Sequence, residues 1–387
     1  MDVAERRSRL GVRHHFAPAA RTETPSNVAC DLVALHGTDP ATVFLSIFAR
    51  AASSVSAIEA ALYDKRELVR MLGMRRTMFV VPDALAPVVH AACTRAIAVQ
   101  MRRRYQQFLE ESGVVQNVAT WWSRVETATL AALELRGAAT AQELGQDVPE
   151  LKTQIRLAEG KSYAGTQSVA TWMLMQLSAE GRIVRGRPRG SWISSQYRWV
   201  PIDAWLPAGL AALPTAAAQA RLVREWLRAF GPGTYADLKW WTGLTMGEVK
   251  RALRTVDFVE VELGESTGLV LADDLEPVAS PDPWAAFLPA LDATPMAYVQ
   301  RDWFLGPHAP ALFDRSGNIG PSVWCDGRIV GGWAQRPNGA IAVKLLEDVG
   351  RDAEDRVAAA AHALEAWLGG VRVTPRFRTP LERELSA

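Results

Sequence analysis

Residues 168–201 read "SVATWMLMQLSAEGRIVRGRPRGSWISSQYRWVP", and the fold turns on how this stretch divides. Its first third is apolar and reads as a helix. "RIVRGR" and "SSQYRWV" then read as two strands flanking "PRGSW", whose Pro and Gly mark a turn. Helix, strand, turn, strand is a wing.

Upstream, "WWSRVETATLAALELRG" has the spacing of a helix, and "AATAQELGQDVPEL" that of a shorter one ended by Pro149. Together with the wing they predict a winged helix-turn-helix over residues 116–205. A similar order precedes it over 1–115. "SAIEAALYDKRELVRML" reads as a helix, "MRRTMFVVP" as a strand ended by Pro82, and "AACTRAIAVQMRRRYQQFLEES" as a connector helix carrying Arg102, Arg103 and Arg104. A third copy is expected over 206–278. There "GPGTYADLKWWTG" and "TMGEVKRALRTV" form the helix pair, with Thr234 and Thr245 as N-caps, and "FVEVEL" and "GLVLAD" supply strands. The three match in pattern, not in residues.

After "ASPDPW", a natural linker, residues 279–387 change texture. "RSGNIGPSVWCDGRIVGGWAQRPNGAIAVKLLE" is Gly-rich, with turn signals between apolar strands. A helix, "EDRVAAAAHALEAWLGG", and a last strand, "VRVTPRF", complete the module. The expected fold class is α+β: three tandem winged helix-turn-helix domains plus a C-terminal β-rich module.

At 387 residues the chain is too long for one ordinary core, and 49% hydrophobic with 22% charged residues describes a folded globular protein. No run of roughly 18 apolar residues is evident, and "MDVAERRSRLGVRHHF" lacks the apolar core of a signal peptide. Three distant cysteines, Cys30, Cys93 and Cys325, fit a reduced compartment and give no zinc pattern. These features predict a cytoplasmic, nucleoid-associated monomer that needs no metal or other cofactor and no membrane. Formal net charge is only +1, but residues 181–201 hold five arginines and no acid, whereas "VDFVEVELGES" and "LADDLEP" carry only acids. One basic face on a near-neutral protein points to nucleic acid.

Chemistry is concentrated in few places. The six histidines show no metal-ligand spacing, and no P-loop, dinucleotide or nucleophile-elbow motif occurs. The nearest P-loop match, "AEGKSYAG" (158–165), lacks its first glycine. Lys65 sits among charged residues and reads as solvated, so a Schiff-base lyase is not expected. That leaves "LHGTDPATVF", residues 35–44. Thr38 or Asp39 before Pro40 is a standard helix start, and Gly37 suits a tight turn. His36 has no such structural role.

Five segments, "LGMRRTMFVVP", "GRIVRGRPRGSWISSQYRW", "ADLKWWTG", "GNIGPSVWCDGRIVGGWAQR" and "VTPRFRTPLE", together resemble the bacterial winged helix DNA-binding domain family that includes the AlkZ/YcaQ-like DNA glycosylases. The resemblance implies three winged helices around a DNA channel and excision of alkylated purines, including bulky N7 adducts and some crosslinks. It also implies a Gln-x-Gln or Gln-x-Asp motif before an Asp-Pro. His36 and Thr38 fall at the two motif positions, with Gly37 as spacer, so this chain departs from the family at both; Asp39 and Pro40 match.

The substitution is chemically admissible. An N7-alkylated purine already carries positive charge, so the enzyme need only stabilise an oxocarbenium ion and aim a water. Side chains at x and x+2 of an extended segment can share that water. A histidine poised near neutral pH could act as base, Thr38 could help hold the water, and Asp39 could favour the cationic transition state. His36, Thr38 and Asp39 are therefore the candidate catalytic residues of a monofunctional glycosylase.

The candidate contacts to alkylated or adducted duplex DNA are Arg182, Arg185, Arg187, Arg189, Gln196 and Arg198 on the second wing, Arg75 and Arg76 before the first wing's strand, and Gln300 and Arg301 from the C-terminal module. The tryptophans of "KWW" are expected in the core. Two alternatives remain: a winged-helix DNA binder without catalysis, and an interaction protein indifferent to nucleic acid and to salt.

Overall fold

The computed structural model describes residues 1–157 and 165–387; the partial P-loop match at 158–165 falls, but for its last residue, outside the described residues. The fold is α+β.

Within residues 168–201 the helix runs Val169–Ala179 and the strands Ile183–Pro188 and Tyr197–Pro201 pair antiparallel, with an irregularity between Arg185 and Pro188. The helix buries Trp172, Met173, Leu174 and Leu177 against Val118–Arg136 and Arg95–Ser112, where Tyr105 stacks on Trp172 at 5.2 Å. Burying each such side chain stabilises by roughly 1.5–3 kcal/mol. Ala141–Asp147 starts at Thr140, whose side chain and that of Glu143 cap each other's backbone. A further strand pair, Gln154–Leu157 with Gly165–Ser168, has no counterpart in the sequence reading.

The N-terminal part holds a three-stranded antiparallel sheet in the order Leu35–His36, Met78–Pro82, Leu68–Leu72. Here one expectation fails. "RELVRML" reads as the end of a helix, but the helix stops in the turn Ala60–Asp64 and Leu68–Leu72 is a strand. All five of its residues are buried, so the in–out alternation that marks a strand is missing.

Farther on, Thr234 and Thr245 cap Tyr235–Thr242 and Met246–Leu253 as the sequence indicates, each in a reciprocal box with Asp237 or Glu248. These helices pack beside Thr215–Phe230 and precede the hairpin Phe258–Leu263 and Ser266–Leu271. The C-terminal module is a four-stranded antiparallel sheet, Ala285–Leu288, Ser322–Cys325, Arg328–Gln335 and Ile341–Leu345, backed by Arg351–Leu368. "VRVTPRF" forms no strand. Side chains tether it instead: Gln335 Oε1 accepts from Val373 N at 2.8 Å, and Gln335 Nε2 donates to Val371 O at 3.1 Å.

Two apolar cores result. One is built around Trp122 and Trp172; the other joins the N-terminal, third and C-terminal segments. Within the latter, Arg50 and Asp292 form an ion pair at 2.6 Å with both side chains fully buried, supported by Ser46 and Thr294. The sheet bearing His36 lies where the cores meet, since Leu72 and Met78 belong to the first and Phe79 and Val80 to the second. Among the described residues one helical run, Asp83–Ser112, is long and apolar enough to cross a membrane, and over half of its apolar window is buried inside the fold.

Candidate active site

Leu35 pairs with Val80 and His36 with Phe79, and Gly37 N donates to Met78 O at 2.8 Å, extending the strand by one bond. Arg70 Nη1 donates to Gly37 O. A Cβ on residue 37 would stand 3.2 Å from the Phe79 carbonyl carbon and 3.0 Å from Arg70 Nη1, a tight approach that a side chain could make only if these neighbours gave way by a few tenths of an ångström. The chain then enters the helix Pro40–Phe48. Asp39 Oδ1 accepts from Ala41 N at 3.1 Å and Oδ2 from Arg376 N at 3.0 Å. Asp39-Pro40 is a helix start, as the sequence indicates, and the same carboxylate also ties down the C-terminal segment.

His36 is 6% exposed, with its ring edge-on to Phe79 at 5.6 Å and Nδ1 buried without a partner. Burial first, then the charges of Arg75 and Arg70, push its pKa down to about 3. The expectation of a histidine poised near neutral pH is thereby corrected: the ring is neutral at physiological pH. The shared-water arrangement needs correction as well. Thr38 lines a cleft of about 410 Å³ with Arg185, Arg189, Gln196, Tyr197 and Arg376, and His36 is not among its lining residues. The strand ends at His36 and the chain bends beyond it, so x and x+2 no longer face one way.

The acid-free run of arginines is largely paired in three dimensions. Arg182 lies 4.0 Å from Glu126, Arg187 bonds Asp64 at 2.9 Å with Glu59 at 3.3 Å, and Arg189 reaches Glu143 at 3.8 Å. Arg198 donates to Ala138 O at 2.7 Å. Arg185 differs. It stacks over Tyr197 and Trp199 at 5.4 and 5.2 Å, and burial with Arg70 nearby lowers its pKa to about 10. Gln196 is exposed beside it.

A second group gathers around Trp240. Arg75, in the left-handed region at φ 52°, places its guanidinium 3.9 Å over Trp240, and Arg301 covers the same ring at 5.0 Å. Arg301 is lowered to about 10 by burial and by Arg75. Arg76 is exposed and, with Arg75, lines a cleft of about 550 Å³. Gln300 is exposed, its carbonyl accepting from Trp303 Nε1 at 3.1 Å. Among the described residues no carboxylate pairs with Arg75, Arg76, Arg185 or Arg301.

Three residues of this arrangement escaped the sequence reading. Trp241 is core, as expected, but its neighbour Trp240 is half-buried under two guanidiniums. Arg70 hid in the run taken for helix, although an arginine inside "LVRML" was a visible signal. Arg376 stands in the segment taken for a strand.

A family model described as "DNA glycosylase AlkZ-like" matches residues 30–367. The chain belongs to the AlkZ-like DNA glycosylase family. Membership makes it a DNA-acting glycosylase, and the matched residues include the turn 36–39 and both arginine groups except Arg376. Among solved structures the chain is similar to Streptomyces sahachiroi DNA glycosylase AlkZ, with a TM-score of 0.71 over 96% of this chain and 98% of that one. Identity there is 18%, so the likeness speaks for the AlkZ fold alone. No curated protein matches the chain in sequence.

Proposed function

We propose that this member of the family is a monofunctional glycosylase that hydrolyses the N-glycosidic bond of N7-alkylated purines, bulky adducts included, in duplex DNA. It would act in base excision repair or in self-resistance to a genotoxin. Three winged helices form its DNA-binding scaffold in this reading. One observation carries it: the turn offers no group that could protonate a departing base. His36 is held neutral by burial, and both oxygens of Asp39 accept backbone N–H groups. A neutral purine needs protonation to leave, whereas an N7-alkylpurine carries its positive charge already. The site therefore suits a pre-activated leaving group.

In this mechanism a neutral ring nitrogen of His36 accepts a hydrogen bond from the attacking water and orients it. Thr38 offers a hydroxyl from the neighbouring cleft, and Asp39 holds the turn in place. Phosphates of the bound duplex offset the unpaired arginines, which would otherwise repel the cationic base.

The burial of His36 also favours a competing reading, a DNA binder without catalysis. One experiment separates the two: base release from duplexes bearing N7-methylguanine, or a bulky N7-guanine adduct, with wild type and His36→Ala. Release that falls at least about a hundredfold in the variant supports the mechanism. Salt-sensitive binding with no release from either substrate supports the binder.

A further inference from the structure

The cleft beside the turn holds more positive charge than the fold neutralises. Arg185 lies over the rings of Tyr197 and Trp199 and donates from Nη2 to Met175 Sδ at 3.0 Å, yet its Nε is buried without a partner. Behind Tyr197 lies Arg70, 2% exposed, its guanidinium 5.0 Å from the Tyr197 ring and its Nε and Nη2 both buried and unpartnered. The Tyr197 hydroxyl is likewise buried and unpartnered. Arg376 stands exposed at the rim. Among the described residues no carboxylate lies within 4.0 Å of any of these three guanidiniums. The nearby acid, Glu143, accepts from Thr140 in a capping box and reaches Arg189 at 3.8 Å.

Like charges without a counter-charge cost free energy, and an anion with several oxygens seated in the cleft removes that cost. The planar fork of Arg185 matches a phosphate, Thr38 adds a hydroxyl, and Arg376 closes the rim. We infer that this cleft seats one backbone phosphate of the DNA strand carrying the lesion, held by Arg185, Arg376 and Thr38 with Arg70 as electrostatic support behind Tyr197. The word "lesion" rests on the proposed glycosylase activity; the phosphate seat does not.

The seat also has a mechanical consequence. The backbone N–H of Arg376 is bonded to Asp39, the carboxylate that caps the Pro40–Phe48 helix. A phosphate drawing Arg376 inward therefore acts on the segment that presents His36 and Thr38. Docking of the strand and alignment of the turn become one event.

The test uses a duplex with an uncleavable tetrahydrofuran abasic analogue and one neutral methylphosphonate moved stepwise along the lesion strand. Wild type should lose roughly tenfold to a hundredfold in affinity at a single position, the loss of one charge-assisted contact. In Arg185→Gln and Arg376→Gln the same methylphosphonate should cost less than about twofold. Arg376 is exposed, so that variant folds, and thermal melting confirms it for both. Equal losses in wild type and variants would overturn the inference. So would a wild type that binds inorganic phosphate, at constant ionic strength, and shows no sensitive position, because the seat would then belong to a free anion. Base release from N7-methylguanine duplex, run on the same proteins, reports separately on the glycosylase reading, since the abasic probe carries no base to release.

Discussion

Asp39 and Arg376 are 337 residues apart in the chain, and the carboxylate of one accepts the backbone N–H of the other at 3.0 Å. With its second oxygen on Ala41 N, Asp39 both starts a helix and pins the segment that follows the helix Arg351–Leu368. Asp39→Ala removes both bonds, and we expect a loss of about 1–3 kcal/mol of stability. Asp39→Asn keeps one acceptor and should lose less. Urea denaturation of the two variants measures this; equal losses would mean that the two bonds do not act separately.

Holding His36 neutral shapes the response to pH. In the unfolded chain a histidine takes up a proton near pH 6.5, and in the fold His36 does so only near 3. The unfolded state thus binds more protons between these values, so stability falls as pH drops through that window. His14, buried between Thr294 and the carbonyl of Ala229 and lowered to about 3 by burial and Arg50, acts in the same direction. Melting temperature should decline from pH 6.5 toward 4, and less steeply in His36→Gln. Base release should show no inflection from His36 between pH 5 and 8; one near 6.5 that vanishes in His36→Gln would restore a titrating base.

The Arg50–Asp292 pair joins the helix after the turn to the C-terminal module. Asp292→Ala strands a buried guanidinium and should cost about 3–5 kcal/mol. Arg50→Met combined with Asp292→Leu should recover much of that loss. Chemical unfolding of the single and double variants decides it.

Paired and unpaired arginines should behave differently toward DNA. Each phosphate contact contributes about 0.9 to the log–log slope of affinity against salt. Arg185→Gln and Arg75→Gln should each lower that slope by about one. Arg187→Gln should leave it almost unchanged, because Asp64 and Glu59 already engage that guanidinium. Anisotropy titrations from 50 to 200 mM salt would show the contrast, and equal slopes for all three variants would remove it.

Trp240 carries Arg75 at 3.9 Å and Arg301 at 5.0 Å. Trp240→Ala removes that platform, and each cation–π contact is worth roughly 0.5–2 kcal/mol. Duplex affinity should fall about threefold to thirtyfold while the protein stays folded. An unchanged affinity would make the stack purely structural.

Local chemistry made much of this protein legible in advance. Caps at Thr234 and Thr245, the helix start at Asp39-Pro40, and the hairpin around "PRGSW" depend on residues within a few positions of one another. The sequence alone also located the turn at 36–39 and, by resemblance, the family. Tertiary structure decided whatever depends on who comes to lie beside whom. Leu68–Leu72 became a strand because both its faces are covered, which erased the alternation that identifies one. "VRVTPRF" stayed out of the sheet because side chains, not a neighbouring strand, hold it. Of the arginines of 181–201, Arg182, Arg187 and Arg189 met acids from other helices, leaving Arg185 and Arg198 without a carboxylate partner among the described residues. Burial first, and then the charges of Arg75 and Arg70, set the charge state of His36. A histidine's titration and an arginine's freedom are properties of surroundings, and surroundings exist only once the chain has packed.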